Sequence, residues 1–157
     1  MIATPTKTVR IVTASWFSEL PDDYARIGIS RGVPRNQKRP YKHYRTLQPG
    51  SWFNSVPSAE YVRLYRTEVL AGLDPERVLR DIMMLAEGRH AALLCWESAA
   101  SDSFCHRGLV SAWLYERLGL AVPEIGLDPR AYGWSHPKLP PIVRRPLVDS
   151  GMATTAA

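Results

Sequence analysis

The chain has 157 residues, 45% of them apolar and 22% charged, with a net charge of +5 at neutral pH. That size and mix suit one folded domain with its own core, and no apolar run approaches the roughly 18 residues a membrane-spanning helix needs. Two cysteines are too few for a disulfide scaffold, and Met1 to Lys7 lacks the basic and apolar stretches of a signal peptide, so a reducing, cytoplasmic setting is expected.

Thr8 to Thr13 is rich in β-branched residues and predicts a first strand that ends near Ser15. Ala25 to Ser30 predicts a second, after which Arg31 leaves the sheet. Residues 34–57 carry Pro34, Pro40, Pro49 and Pro57 and predict a long irregular excursion. Loops of that length in a compact domain are usually functional or disordered. Tyr41, Tyr44, Trp52 and Phe53 favour an ordered one. Ser58 reads as the N-cap of a helix running to Ala71, with Gly72 ending it. Asp74-Pro75-Glu76 opens another: a capping carboxylate, proline at the first helical position, then an acid in the first turn. Gly88 is expected to close it.

Ala91 to Trp96 is a short apolar run, as in a strand buried on both faces. Ser98 to Ser103 is small and polar and reads as a loop. From His106, apolar residues at 109, 110, 113, 114 and 118 predict a helix with one buried side, and Gly119 stands at its expected C-cap. Val122 to Ile125 reads as a short edge strand. Beyond Leu127 the chain is proline-rich and reads as an extended tail over the surface, disordered at Gly151 to Ala157; Met1 to Lys7 reads as frayed. Together these elements predict a single α/β domain. Its sheet is small, mainly parallel and flanked by helices, and its core covers about residues 8–126.

The chemistry concentrates at Cys105-His106-Arg107, in the first turn of a helix that follows a buried strand. Open α/β sheets bind ligands at the carboxyl ends of their strands, and a helix start favours anions. A cysteine there, beside an arginine, should be a thiolate more readily than a free thiol. Cys105 is thus a candidate nucleophile, and His106 a candidate proton carrier. The bland alternative is a cysteine that merely packs at the helix start. Arg107 suits an anion clamp and Glu97 a carboxylate that pairs with it. His106 follows Cys105 directly, so on a helix one of the two should turn away from a shared pocket. Arg31, Ser15 and Cys95 should approach the same edge if the sheet is parallel, and Tyr65 could line it, although an aromatic at helical spacing is more often core. Metal is not expected, because no close-spaced ligand pair such as C-x₂-C is present, and no cofactor is expected either.

A second candidate lies between Asp23 and Glu60, where no acidic residue occurs. Arg35, Lys38, Arg39, Lys42 and Arg45 alternate there with Tyr41 and Tyr44. Cations meet phosphates and rings stack on bases, so this composition suits single-stranded nucleic acid. It also suits a solvated loop whose tyrosines pin it to the core.

Cys95-Trp96-Glu97 followed by Cys105-His106-Arg107 resembles the domain-of-unknown-function 488 family. That family pairs a strand ending in Leu-Cys-aromatic-Glu with a Cys-His-Arg turn that starts a helix. Leu64 to Leu70 and Leu118 to Glu124 are similar to the family's flanking segments, and the resemblance covers about residues 9–126. It implies an α/β fold and a ligand site at the cysteine turn; it supplies no activity. Many members carry Asp-Val-Arg after the second strand where this chain has Ile29-Ser30-Arg31, so no role of that aspartate transfers. Nor is the usual Gly-aromatic-Ser turn present after the first strand, where this chain has Ala14-Ser15-Trp16-Phe17.

The expectation is therefore an enzyme-like protein whose pocket takes a phosphate-bearing small molecule or a nucleic-acid component. Two other readings stay open: a non-catalytic nucleic-acid-binding module, and a redox sensor using Cys95 and Cys105.

Overall fold

The structure is a computed structural model that describes residues 8–101 and 103–147. The expected frayed start and disordered end lie outside the described residues. Four strands, β1 (Ile11–Ser15), β2 (Tyr24–Gly28), β3 (Lys42–His43) and β4 (His90–Cys95), form one sheet in the order β1-β4-β2-β3. Every pairing is parallel. The helices are α1 (Ser58–Leu64), continued by a π-helical segment Tyr65–Leu70, then α2 (Pro75–Ala86) and α3 (His106–Leu118). The chain is an α/β protein with a small parallel sheet.

β4 is central and buried from Ala91 onward, which is why it reads as an unbroken apolar run. Alternation along the strands splits the core. Ile11, Ala25, Ile27, Ala91 and Leu93 pack with the helices in one cluster. Val12, Ala14, Ala92 and Leu94 face the other way, against Trp16, Leu20, Val33 and Tyr41. So loops cover the second face of the sheet, and the helices pack on the first.

Other departures are local. The 34–57 excursion is not wholly irregular: it contributes β3 and a 3₁₀ turn at Arg45–Leu47. Pro57 holds the N-cap position of α1, and Ser58 is its first helical residue. Asp74 does cap α2, accepting a hydrogen bond from the Glu76 N–H at 3.1 Å. Glu87, with φ of 52°, is the C-cap of α2, one residue before the expected Gly88, which follows with φ of 84°. Gly119, with φ of 65°, ends α3 as expected. The short edge strand is reduced to one parallel bridge, between Thr13 and Glu124.

The C-terminal segment departs most from expectation. It forms a 3₁₀ turn at Gly133–Ser135 and then enters the interior, burying His136, Lys138 and Leu139. Gly108 admits it. A Cβ on Gly108 would lie 2.7 Å from the Leu139 nitrogen and the Lys138 carbonyl carbon. Among the described residues no helix is long and apolar enough to cross a membrane.

Candidate functional site

Because all strands run parallel, the ends of β1, β2 and β4 share one sheet edge. β4 delivers Cys95 there. α3 begins at the same edge, with Cys105 as its N-cap in extended backbone and its N–H donated to the Lys138 carbonyl at 3.0 Å. A cavity of about 470 Å³ opens over these residues. Cys95, Cys105, His106 and Glu97 contribute its reactive groups. Phe53, Tyr61, Trp96 and Phe104 give it aromatic sides, and Arg31 lines it as a cation.

His106 connects the two thiols. Its Nε2 lies 2.9 Å from the Ile29 carbonyl, which can only accept, so Nε2 carries a proton. Nδ1 is thereby turned toward sulfur, 3.4 Å from Cys95 Sγ and 3.8 Å from Cys105 Sγ. Both Cys105 and His106 therefore face the cavity, and neither turns away. Tyr65 backs the imidazole at 5.5 Å between rings, with its hydroxyl donated to the Leu47 carbonyl.

The two thiols are pushed in opposite directions. Burial alone would raise both. At Cys105 the hydrogen bonds from Cys95 and His106, with the charges of His106 and Arg107, outweigh it and hold the thiol well below its ordinary value. Cys95 is raised well above the ordinary value by burial and by Cys105 itself. The fold gives the reason for the asymmetry: Cys105 sits at the positive end of a 13-residue helix, whereas Cys95 ends a buried strand. The pair is thus divided, with ionisation favoured at Cys105 and opposed at Cys95. Burial, then Cys105, also raises the Glu97 carboxyl, whose Oε2 is 3.8 Å from Cys95 Sγ.

Arg107 is not paired with the Glu97 carboxylate, and it does not line the cavity. Its side chain is wholly buried behind the thiols. Nε and Nη2 donate to Glu124 Oε1 and Oε2 at 2.9 and 2.8 Å, and Nη2 also donates to the Glu97 carbonyl at 2.8 Å. Nη1 is buried without a hydrogen-bond partner. Desolvation would lower the guanidinium's pKa, but Cys105 and Glu124 raise it overall, so it is a fixed positive charge next to the thiol.

Glu124 extends this network to residues that sequence reading missed. Thr13 Oγ1 donates to Glu124 Oε1 at 2.7 Å and lies 2.7 Å from His136 Nε2. His136 Nδ1 accepts the Lys138 N–H, so its Nε2 is the protonated nitrogen. The Lys138 ammonium, itself buried, is held by the carbonyls of Ser98 and Ser101 and so pins the loop that leads to Cys105. Glu124 had one sequence signal, an acid directly after proline in a segment similar to the family's. His136 and Lys138 had none, because a proline-rich run reads as surface.

The remaining predicted residues separate. Arg31 donates to the Pro49 carbonyl at 3.0 Å and lies over Phe53. Ser15 does not line the cavity: its hydroxyl donates to the Trp96 carbonyl and accepts the Phe17 N–H. In the basic loop, Tyr44 is buried and donates to Asp81, and Lys42 pairs with Glu87. Tyr41 packs edge-on against Trp16. Arg35, Lys38, Arg39 and Arg45 are exposed. Spacing argues against a metal, yet folding brings donor atoms of Cys95, Cys105 and His106 within 4.8 Å of one another, a set able to hold a thiophilic ion.

A family model described as the active DUF488-N3 subclade matches residues 9–118. The chain belongs to the DUF488 family. The match spans β1 through α3 and so contains both cysteine motifs of this DUF488 protein. Glu124, His136 and Lys138 lie beyond it. Neither the curated proteins nor the solved structures give a match.

Proposed function

We propose that this DUF488 protein is a thiol enzyme acting on a phosphate-bearing ligand of the nucleotide type. One observation carries the reading: Cys105 faces an aromatic-sided cavity with His106 Nδ1 at 3.8 Å and the buried Arg107 charge behind it. The Cys105 thiolate attacks an electrophilic centre of the bound ligand. His106 shares the thiol proton, and Glu97, kept protonated more readily by burial, donates a proton to the leaving group. Flat aromatic sides suit a heterocyclic ring, and Arg31 suits the anionic end. A reducing, cytoplasmic setting fits a working thiol.

The test is a screen of phosphorylated nucleosides with mass spectrometry of the intact protein. A covalent adduct or turnover that requires Cys105, and is lost in Cys105→Ser, is the expected result. Full turnover by Cys105→Ser would remove the thiol from the mechanism.

A further inference from the structure

A second cavity, of about 560 Å³, opens around Trp16 to Asp22 and residues 37–40. Arg26, Lys38, Arg39 and Arg89 line it as cations, against Glu19 and Asp22 as acids. Phe17 lines this cavity and Trp96 lines the cysteine cavity. The two rings meet edge to face, with centroids 6.4 Å apart. Both are large apolar groups left in water, Phe17 at 62% and Trp96 at 45% of full exposure. An exposed aromatic pair thus stands between a reactive cavity and a cationic one.

The three arginines are held in place. Arg26 Nη2 donates to the Trp16 carbonyl at 2.9 Å and to Gln37 at 2.8 Å, while its buried Nε has no partner. Arg39 lies over Tyr41, 5.6 Å from the ring centroid. Arg89 Nη1 donates to the Asp22 carbonyl at 3.3 Å. Each guanidinium keeps N–H groups for an incoming anion.

Nothing about a free nucleotide, which has one base and its own phosphates, calls for a second cavity. A polymer does require it. Successive bases stack on exposed rings while the backbone follows a cationic groove, the pattern of single-stranded nucleic acid binding. A duplex keeps its bases stacked on one another and has no use for an aromatic step between two cavities.

We infer that the substrate is single-stranded nucleic acid: one nucleotide enters the cysteine cavity, its neighbours stack on Trp96 and Phe17, and the flanking phosphates reach Lys38, Arg39, Arg26 and Arg89. This inference rests on the thiol-enzyme reading for what happens to the entering nucleotide, but the binding path stands on its own residues. It also gives the exposed part of the basic loop a task. Lys38 and Arg39 bind the strand, whereas Lys42 and Tyr44 hold the loop to the body.

The experiment is fluorescence anisotropy with a labelled mixed-sequence single-stranded 12-mer, its duplex, and nucleoside monophosphates as competitors, over a salt series. The single strand should bind at least about tenfold more tightly than either the duplex or a monophosphate. Phe17→Ala should weaken the single strand about tenfold. Lys38→Gln combined with Arg39→Gln should reduce the slope of log affinity against log salt by about 1.4. Thermal unfolding of each variant shows that the fold is intact. Equal affinity for duplex, or no gain over a monophosphate, would overturn the inference, as would unchanged binding by both variants. Cys105→Ser separates the two proposals. Tight single-strand binding by a protein whose Cys105 proves dispensable for turnover keeps the path and removes the thiol chemistry. A Cys105-dependent reaction confined to free nucleotides does the reverse.

Discussion

Arg107 and Glu124 form two parallel hydrogen bonds with both side chains wholly buried, tying the first turn of α3 to the segment that bridges β1. Isolating either charge there is costly, because neither can reach water. Glu124→Ala should lower the unfolding free energy by about 3–5 kcal/mol in urea titration. Replacing both residues with methionine should cost less than the single change, since no unpaired charge is left inside. A loss below about 1 kcal/mol for Glu124→Ala would contradict a desolvated pair.

His136 makes the same network sensitive to acid. Burial first, then the Arg107 charge, pushes its pKa down to about 3. The groups facing it are Glu124, Thr13, Arg107 and Lys138. The unfolded chain protonates His136 near pH 6.5 and the folded chain does not, so the unfolded state binds more protons between these values. Stability from this residue is whole above about pH 6.5 and falls by about 1.4 kcal/mol per unit as the pH drops toward about 3. His136→Asn should be less stable at pH 7 yet lose that part of the slope. Equal slopes for the two proteins between pH 6 and pH 4 would count against a neutral buried imidazole.

Gly108 packs directly against the backbone of the C-terminal segment. A methyl group there meets backbone atoms of Lys138 and Leu139, which cannot swing aside as a flexible side chain can. Gly108→Ala should cost about 1–3 kcal/mol by overpacking. It should also loosen Lys138 from the Ser98 and Ser101 carbonyls, so that proteases cleave the loop before Cys105 faster than in the parent protein. Unchanged cleavage and stability would mean that the segment is not packed on α3.

What the sequence disclosed follows from which interactions are local. α2 was legible because its cap, its proline and its apolar spacing all lie within its own residues. β4 was legible because a strand buried on both faces writes an apolar run. Cys105 at a helix start was legible for the same local reason. β3 was not, since Lys42 and His43 carry no strand pattern and are ordered by pairing with Ile27 and Gly28. Glu97 was expected to pair with Arg107 across the strand-loop-helix unit, but Glu124, from beyond α3, holds it, and only the Glu97 carbonyl reaches the guanidinium. His136 and Lys138 were missed because proline-rich composition describes the backbone and says nothing of where side chains end. The three ligand atoms of Cys95, Cys105 and His106 were likewise separated by spacing and joined only by a parallel sheet edge.

The division between the two thiols gives a direct chemical test. Cys105 is held low by Cys95, His106 and Arg107 against the opposing effect of burial, and Cys95 is pushed up by burial and by Cys105. Alkylation by iodoacetamide, followed site by site with mass spectrometry, should reach its plateau at Cys105 well below the free-thiol value of about 8.5, while Cys95 reacts slowly throughout. Arg107→Met should move the Cys105 profile upward, because it removes a positive charge without removing either thiol. His106→Gln should do the same through the lost Nδ1 contact. A third variant tells electrostatics from damage: Arg107→Lys keeps the charge and loses the bidentate geometry, so its profile should stay closer to the parent's than that of Arg107→Met. If Cys105 titrates like a free thiol in the parent protein, the buried charges are structural and the cavity needs another reactive group. If it titrates low and Arg107→Met raises it, the Arg107–Glu124 pair has a purpose beyond stability, holding a positive charge behind a thiol that faces an open cavity.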